Sequence, residues 1–525
     1  MPCGTSGGYI GRLRPSDERS RRGRFAAQPP KRSVPSSCEG PFRSSGVITG
    51  PFECWRKSGR DDEVGRSKRD PHAERERERE SSERRNQYCA SSSSDGMRRS
   101  CYDSECSRPP RRQRGRLNAM PDTDPDTARR AEISRQAAAL NERLVAIRRD
   151  IHAHPEIGHH ERRTTALIVD QLERAGLVVK VLPVGTGAYC DVLPGGFDDS
   201  AGLVGLRADI DALPIQDGKT VDYASKNPGV CHACGHDVHT AILLGVGMVL
   251  SRLRDLDLLT RGVRLIFQPA EETSPGGALD AIEGGVLHDL TEIYALHCDP
   301  RTDVGQIALK VGPITSAVDQ VNIVLSGSGG HTSRPQLTQD VIGALGALAT
   351  MTQLLLSRRI DPRSGVSLMW GSMHSGSVAN AIPQSGEIVG TLRALDADGW
   401  HLAKQLIPEL AAEIVRPFGV EVEVAVTDGV PPAVNHTRGV RRLTRAAEQM
   451  LGLDSVATTE QSLGGEDFSW MLQDVPGALA RLGVRTPGER CPDIHQPTFV
   501  VDEACIPVGL QVLTEVATTY DRTAI

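Results

Sequence analysis

The chain has 525 residues and a formal net charge of −6, long enough for two or more ordinary domains that each bury a core. The charge is divided. Residues 1–119 hold 27 Lys and Arg against 16 Asp and Glu, a net of +11, whereas residues 120–525 hold 34 against 51, a net of −17. One uniform polymer is therefore excluded.

The leading 119 residues contain SSSS at 91–94, ERERERE at 74–80, many Arg and Ser, and few aliphatic residues. Such a segment cannot bury enough apolar surface to offset its ordering entropy, so it is expected to be disordered. An Arg-rich leader suggests nucleic-acid binding or a transit peptide, but its acidic residues and missing amphipathic pattern argue against both. The expectation is an extension outside the folded protein, with translation starting near Met120, and no nucleic-acid partner. Six of the 12 cysteines lie in this leader; the other six (Cys190, Cys231, Cys234, Cys298, Cys491, Cys505) are irregularly spaced, which suits a reducing compartment. No stretch approaches the roughly 20 apolar residues of a membrane span, so the cytoplasm is expected and no membrane partner.

From about residue 130, Ile133, Ala137, Leu140, Leu144, Ile147 and Ile151 recur at helical spacing. Short apolar runs follow at 178–184, 202–211, 262–272 and 292–299, with a helix-like stretch at 240–253, an alternation that predicts a layered α/β sheet. Three of these runs end in charged or metal-capable residues: Asp209 and Asp211, Glu271 and Glu272, and His297. Ligands bind at that edge of open α/β sheets. Residues 313–428 change character: apolar runs at 318–330, 364–376, 385–395 and 420–428 are separated by two helical stretches, which predicts a compact α+β sandwich inserted as a lid. The α/β pattern resumes over 429–525, and there is no internal repeat. The expected organisation is a catalytic domain in two parts, 130–312 and 429–525, around the insertion.

The segment CHACGHDVHT at 231–240 concentrates two Cys, three His and an Asp. Cys234 and His236 offer a thiolate and an imidazole, suited to a borderline-soft divalent ion. A zinc ribbon would need a second CxxC, which the chain lacks; a thioredoxin-like role for Cys231 and Cys234 would not need the surrounding histidines. The adjacent Glu271 and Glu272 project in different directions, so one can bind metal while the other acts as a base. His297 and His495 are weak signals singly, but with Cys234, His236 and one Glu they suffice for two shared ions.

The strings RRDIHAHPE, LRADIDALPI, CHACGHD, FQPAEE, GSGGHTSRP, HSGSVANAIP, GGEDF and HQPTFVVDE occur in order from about residue 130 onward. Together they resemble the amidohydrolase branch of the co-catalytic metallopeptidases, which includes hippurate hydrolase, indole-3-acetyl-amino-acid hydrolase, N-acetyldiaminopimelate deacetylase and N-acyl-L-amino acid amidohydrolase. The resemblance implies a mixed-sheet catalytic domain of zinc-exopeptidase type with an inserted ferredoxin-like lid and dimerisation domain. It implies Cys234, His236, Glu272, His297 and His495 as ligands of two divalent ions (zinc, manganese, cobalt or nickel), with Cys234 bridging. Glu271 would be the general base and Asp211 an acidic residue beside the metals. His331, Asn380 and Arg393 match residues that close over substrate, His331 serving the neighbouring subunit of a homodimer formed through the insertion.

These roles agree with elementary chemistry. Glu271 can move a proton from water to a leaving amine, His331 can hydrogen-bond a developing oxyanion, and Arg393 has the fork geometry for a carboxylate, with Asn380 alongside. The expected reaction is hydrolysis of an N-acyl, N-aroyl or auxin-type amino acid. The alternatives are a dipeptidase or aminopeptidase using the same site, a catalytically silent scaffold, and nucleic-acid binding through the leader. GGEDF at 464–468 lacks the strand-to-helix phosphate pattern and is expected in the pocket wall; His152, His154, His239 and Asp237 are expected to orient or support the site.

Overall fold

The apolar runs at 203–209 and 262–268 are buried at every position, which a strand achieves only when both faces of its sheet are covered. The computed structural model describes residues 124–519; the leader expected to be disordered, with Met120, lies outside the described residues. Helix α1 (Pro125–Ala153) realises the spacing read from the sequence: Ile133, Ala137, Leu144 and Ile151 face inward. It is followed by α2 (Arg162–Arg174), β1 (Val179–Val181), β2 (Ala188–Val192), β3 (Leu203–Asp209), α3 (His236–Asp255), β4 (Gly262–Gln268), α4 (Ala278–Glu283), β5 (Leu290–Asp303) and β6 (Ile307–Leu309).

A second layer begins after the short β7 (Gly312–Pro313): β8 (Ala317–Ser326), β9 (Gly330–His331), α5 (Val341–Arg359), β10 (Ser367–Ser375), β11 (Ala381–Ile382), β12 (Ser385–Ala394), α6 (Ala397–Val415) and β13 (Glu421–Val430). Burial alternates along β8 and β12, so this sheet has one covered face. Its antiparallel order is β10-β12-β8-β13, and Val321, Ile323, Leu345, Leu348, Leu392 and Ile407 form a core of their own with α5 and α6. The chain returns through β14 (Val434–Asn435), α7 (Thr437–Leu451), β15 (Val456–Thr458), α8 (Phe468–Asp474), β16 (Gly477–Arg485) and α9 (Cys505–Thr518).

The main sheet is mixed and eight-stranded, ordered β1-β2-β4-β3-β5-β16-β6-β15. Its centre, β4-β3-β5-β16, is parallel, so the C-terminal ends of β3 and β4 open on one edge. One sequence expectation needs correction. His297 does not end its strand; β5 runs on to Asp303, but pairing with β3 stops at Ala295, which frees the His297 side chain over the sheet edge.

A second correction concerns hydropathy. Among the described residues, helix α5 is long and apolar enough to cross a membrane by length and composition, because its Ala, Gly and Thr residues add little polarity between the Leu residues. Its Val341, Ala344, Leu345, Leu348 and Leu356 are buried against the second sheet, the packing of a core helix.

Candidate metal centre

Gly235 joins the cysteine-rich turn to α3 in a left-handed conformation, φ 91°, and a Cβ there would lie 2.7 Å from Cys298 Sγ. The turn thus makes His236 the first residue of α3 and holds Cys234 beneath it. His236 donates its Nδ1 proton to the Asp211 carbonyl at 3.0 Å and lies 3.2 Å from Asp211 Oδ1. His297 donates from Nδ1 to the Cys298 carbonyl at 2.8 Å and turns Nε2 toward Cys234 Sγ at 3.4 Å. Both rings are therefore held in the tautomer that leaves Nε2 with a lone pair, the arrangement of a metal-ligating histidine.

Beyond β4 the backbone is strained. Ala270 adopts φ 55° and is pinned by its N–H to Glu161 Oε1 at 2.7 Å. Glu272 donates its own N–H to Asp211 Oδ2 at 2.9 Å. Its Oε1 lies 3.2 Å from Nε2 of His495, a residue at φ 62° whose N–H donates to Ala233 O at 2.7 Å. Left-handed non-glycine residues cost roughly 1–3 kcal/mol each and concentrate at functional sites. Here two of them aim the glutamate pair and His495 at the histidines.

The five residues expected as ligands converge. Donor atoms of Cys234, His236 and His297 lie within 4.8 Å of one another, as do those of Cys234, Glu272 and His495, and those of His236, Glu271 and Glu272. The set fits divalent ions of borderline softness: it combines thiolate, imidazole and carboxylate donors, and His236 Nε2 is buried without a hydrogen-bond partner. Burial opposes charge on His236, yet Asp209 and Cys234 hold its pKa well above the ordinary value. Burial, with Glu272 close by, pushes the Cys234 thiol well up, and burial with Glu466, Glu272 and Asp467 does the same to Glu271. A cation at this point would favour the anionic forms of Cys234 and Glu271 and take the place of the proton on His236.

His239, the third histidine of the cysteine-rich segment, is fully committed: Nδ1 donates to Asp209 Oδ1 at 2.6 Å and Nε2 accepts the Cys298 N–H at 2.9 Å. His152 bonds Asp237 Oδ2 at 2.7 Å, and Arg148 Nε meets the same oxygen at 2.6 Å. Beneath the site lies a buried network around Arg207 that is not anticipated from the sequence. Its guanidinium reaches Asp209 Oδ2 (2.8 Å), Glu466 Oε1 (3.1 Å), Asp467 Oδ1 (2.7 Å) and Gln268 Oε1 (2.8 Å). An Arg inside an apolar strand run was the available signal. Burial, partly offset by Arg207, pushes Asp467 up to about 7.

A cavity of about 670 Å³ opens over these groups, lined by Cys234, Glu271, Glu272, His297 and His495 on one side and by Val318, Arg393 and Val430 of the second sheet on the other. Arg393 also donates to the Leu463 carbonyl. Glu466 and Asp467 of the GGEDF string line the cavity. His331 and Asn380 come together, with Thr332 N–H donating to Asn380 O at 3.2 Å and His331 paired with Ala381 across β9 and β11, but neither lines this cavity. His331 is exposed.

Residues 205–519 match the peptidase family M20/M25/M40. A Rhodococcus jostii (strain RHA1) protein provisionally named glutamate–cysteine ligase 2-3 is 44% identical over 388 residues, 74% of this chain; the match spans about half, 48%, of that relative's length. The N-acetyl-L-cysteine deacetylase of Bacillus subtilis (strain 168) is 35% identical over 369 residues, covering 70% of this chain and 86% of its own. Among solved structures, the Bacillus subtilis YXEP protein, described as a dinuclear metal binding peptidase from the M20 family, is similar with a TM-score of 0.63 and 32% identity, covering 73% of this chain and 98% of that one. The chain, with its cysteine-containing donor cluster at the edge of a mixed sheet, belongs to peptidase family M20/M25/M40.

Proposed function

We propose that the chain hydrolyses the amide bond of N-acyl amino acids, with N-acetyl, N-aroyl or auxin-type acyl groups, to a carboxylate and a free amino acid. The observation that carries this reading is the position of Glu271: a carboxyl pushed up in pKa, within 4.8 Å of His236 and Glu272 donor atoms, at a cavity whose far wall presents Arg393. The deacetylase name of the Bacillus relative supports the acyl specificity, and the dinuclear description of the solved neighbour supports a pair of divalent ions.

Cys234, His236, Glu272, His297 and His495 would hold the ions. Cys234, His236 and Glu272 each belong to more than one of the donor groups; of the three, the thiolate of Cys234 is the reading we adopt for the shared ligand. When bound, such a pair lowers the pKa of water and polarises a carbonyl; zinc, manganese, cobalt and nickel all suit these donors. Glu271 takes the proton of the attacking water and delivers it to the leaving nitrogen. Asp211 keeps His236 in its ligating tautomer. Arg393, with Asn380, receives the substrate carboxylate.

The β-α-β-β-α-β order of β8, α5, β10, β12, α6 and β13 supports a ferredoxin-like lid inserted between the two parts of a catalytic domain. The exposed Ile342 and Leu354 of α5, with Met369 and Met373 of β10, support a homodimer through this layer, in which His331 serves the neighbouring site. The six unpaired cysteines of the described residues support a cytoplasmic protein. Assay of the metal-loaded protein against hippurate, N-acetyl, auxin-conjugate and free-amino-terminal dipeptide substrates tests the reading. Turnover of blocked substrates is expected; cleavage confined to free dipeptides would replace it with the dipeptidase alternative.

A further inference from the structure

Arg481 stands in the middle of β16, paired in parallel register with His297 of β5. Partners in register leave a sheet on the same face, so the guanidinium is carried alongside the metal-ligating imidazole. Its side chain is 7% exposed, and it lines the cavity that holds Glu271. Among the described residues it has no ion-pair or hydrogen-bond partner, and its Nε is buried and unsatisfied.

The nearby acids are already taken. Glu466 Oε1 lies 3.1 Å from Arg207 Nη2 and accepts the Phe468 N–H at 3.1 Å. Asp299 accepts from the Arg301 N–H at 3.0 Å, Arg301 Nε at 3.1 Å and the Thr302 hydroxyl at 3.0 Å. A buried guanidinium left unpaired is unfavourable, a penalty that an arriving carboxylate removes through two parallel N–H···O bonds. Three arginines line the cavity; Arg301 is held by Asp299, which leaves two forks from different sheets, Arg393 on β12 and Arg481 on β16.

We propose that Arg481 binds a second carboxylate of the substrate, so that the preferred substrates are N-acyl amino acids carrying two anionic groups. One engages Arg393 and the other Arg481. The inference rests on the hydrolytic reading above. The second carboxylate can sit on the amino-acid side chain or at the far end of a dicarboxylic acyl group, and paired substrates separate the two.

The test uses the full, metal-loaded chain. One arm compares N-acetyl-glutamate with N-acetyl-glutamine, and the other compares N-succinyl-methionine with N-acetyl-methionine. In one arm the dianion is expected to have a kcat/KM at least ~10-fold higher, since a site built around a polar group rejects the analogue lacking its partner. Arg481→Gln should abolish that preference by lowering kcat/KM for the dianion more than for its monoanionic counterpart, and Arg481→Lys should restore part of it. Arg481→Met, which fills the volume, substitutes if the Gln variant does not fold. Equal kcat/KM within both wild-type arms overturns the proposal without any variant, as does an equal loss on all substrates in Arg481→Gln. Calorimetric titration of the Glu271→Gln protein with the same four compounds separates the two readings. Arg481-dependent preference for a dianion without hydrolysis of any substrate sinks the hydrolytic reading alone, whereas hydrolysis without that preference sinks only the role of Arg481.

Discussion

Asp211 holds two members of the donor cluster at once: its Oδ1 lies 3.2 Å from His236 Nδ1, and its Oδ2 accepts the Glu272 N–H at 2.9 Å. One carboxylate thereby fixes the ring orientation of an imidazole and the backbone of a glutamate from a different strand end. Partners of this kind are worth roughly 10–100-fold in metal affinity. Asp211→Ala is expected to weaken metal binding by about that factor while leaving the thermal midpoint of the metal-free protein little changed. Chelator competition measures it; undiminished affinity would mean that the His236 contact to the Asp211 carbonyl, at 3.0 Å, is sufficient.

Glu271 and Cys234 should separate chemistry from metal retention. Glu271→Gln keeps the shape of the cavity wall and all five proposed ligands, so metal content should stay near that of the parent while turnover falls by roughly 10²–10⁴-fold, the usual scale of general acid–base catalysis. Cys234→Ala removes a donor that belongs to two of the clustered groups, and metal content itself should fall. Elemental analysis beside a rate measurement distinguishes these outcomes. Near-normal turnover in Glu271→Gln would end the general-base assignment.

The donor cluster was legible in the sequence because Cys234 and His236 share the string CHACGHD, Glu272 closes FQPAEE and His495 opens HQPTFVVDE, and the apolar runs ahead of Asp209 and Glu271 announced the strand ends that gather them. Less could be read where a residue's role depends on what lies across the sheet. Arg207 and Arg481 interrupt apolar strands, and nothing in their local sequence tells that the first meets three carboxylates while the second meets none. The commitment of His239 to Asp209 and Cys298 is likewise a three-dimensional fact; spacing alone makes it as good a ligand as His236. His297 was placed at the end of a strand because its apolar run stops there, whereas the strand continues through polar residues paired with β16.

Stability should depend on a second buried ion cluster near the start of β5, the strand that also carries His297. Glu292 is contacted by Arg442 and by Arg261 at 2.7 Å, and accepts the Tyr294 hydroxyl at 2.5 Å. Burial by itself would raise its pKa, but Arg442 and Arg261 outweigh it and hold the carboxyl below its ordinary value. A depressed folded-state pKa contributes stability above the unfolded value, near 4.3, that is lost as pH falls through the folded one. Arg442→Leu leaves Arg261 as the remaining cation on the carboxylate and should cost about 1.5–3 kcal/mol at neutral pH, the scale of a lost hydrogen bond to a charged group. The urea midpoints of parent and variant should converge as the pH falls below the ordinary carboxylate range and through the depressed pKa at which folded Glu292 becomes neutral. A gap independent of pH would show that packing, and not the ion pair, carries the effect.

The exposed apolar residues of the second layer lead to the most demanding prediction. Met369 and Met373 are 65% and 52% exposed on β10, the edge strand of its sheet, and Ile342 is 53% exposed on α5. An unprotected edge strand with apolar side chains is suited to pairing with a second copy of itself. The double variant Met369→Lys, Met373→Lys should be monomeric by light scattering. If His331 serves the neighbouring site, that monomer should also lose turnover while keeping its metal. Glu271→Gln and His331→Ala, each inactive alone, should then complement when co-expressed. The mixed dimer has one site with an intact Glu271 facing an intact partner histidine, so random assortment under two-fold symmetry restores about a quarter of the parent activity. Complete absence of complementation in a protein shown to be dimeric would place His331 in its own subunit's chemistry or outside the reaction altogether.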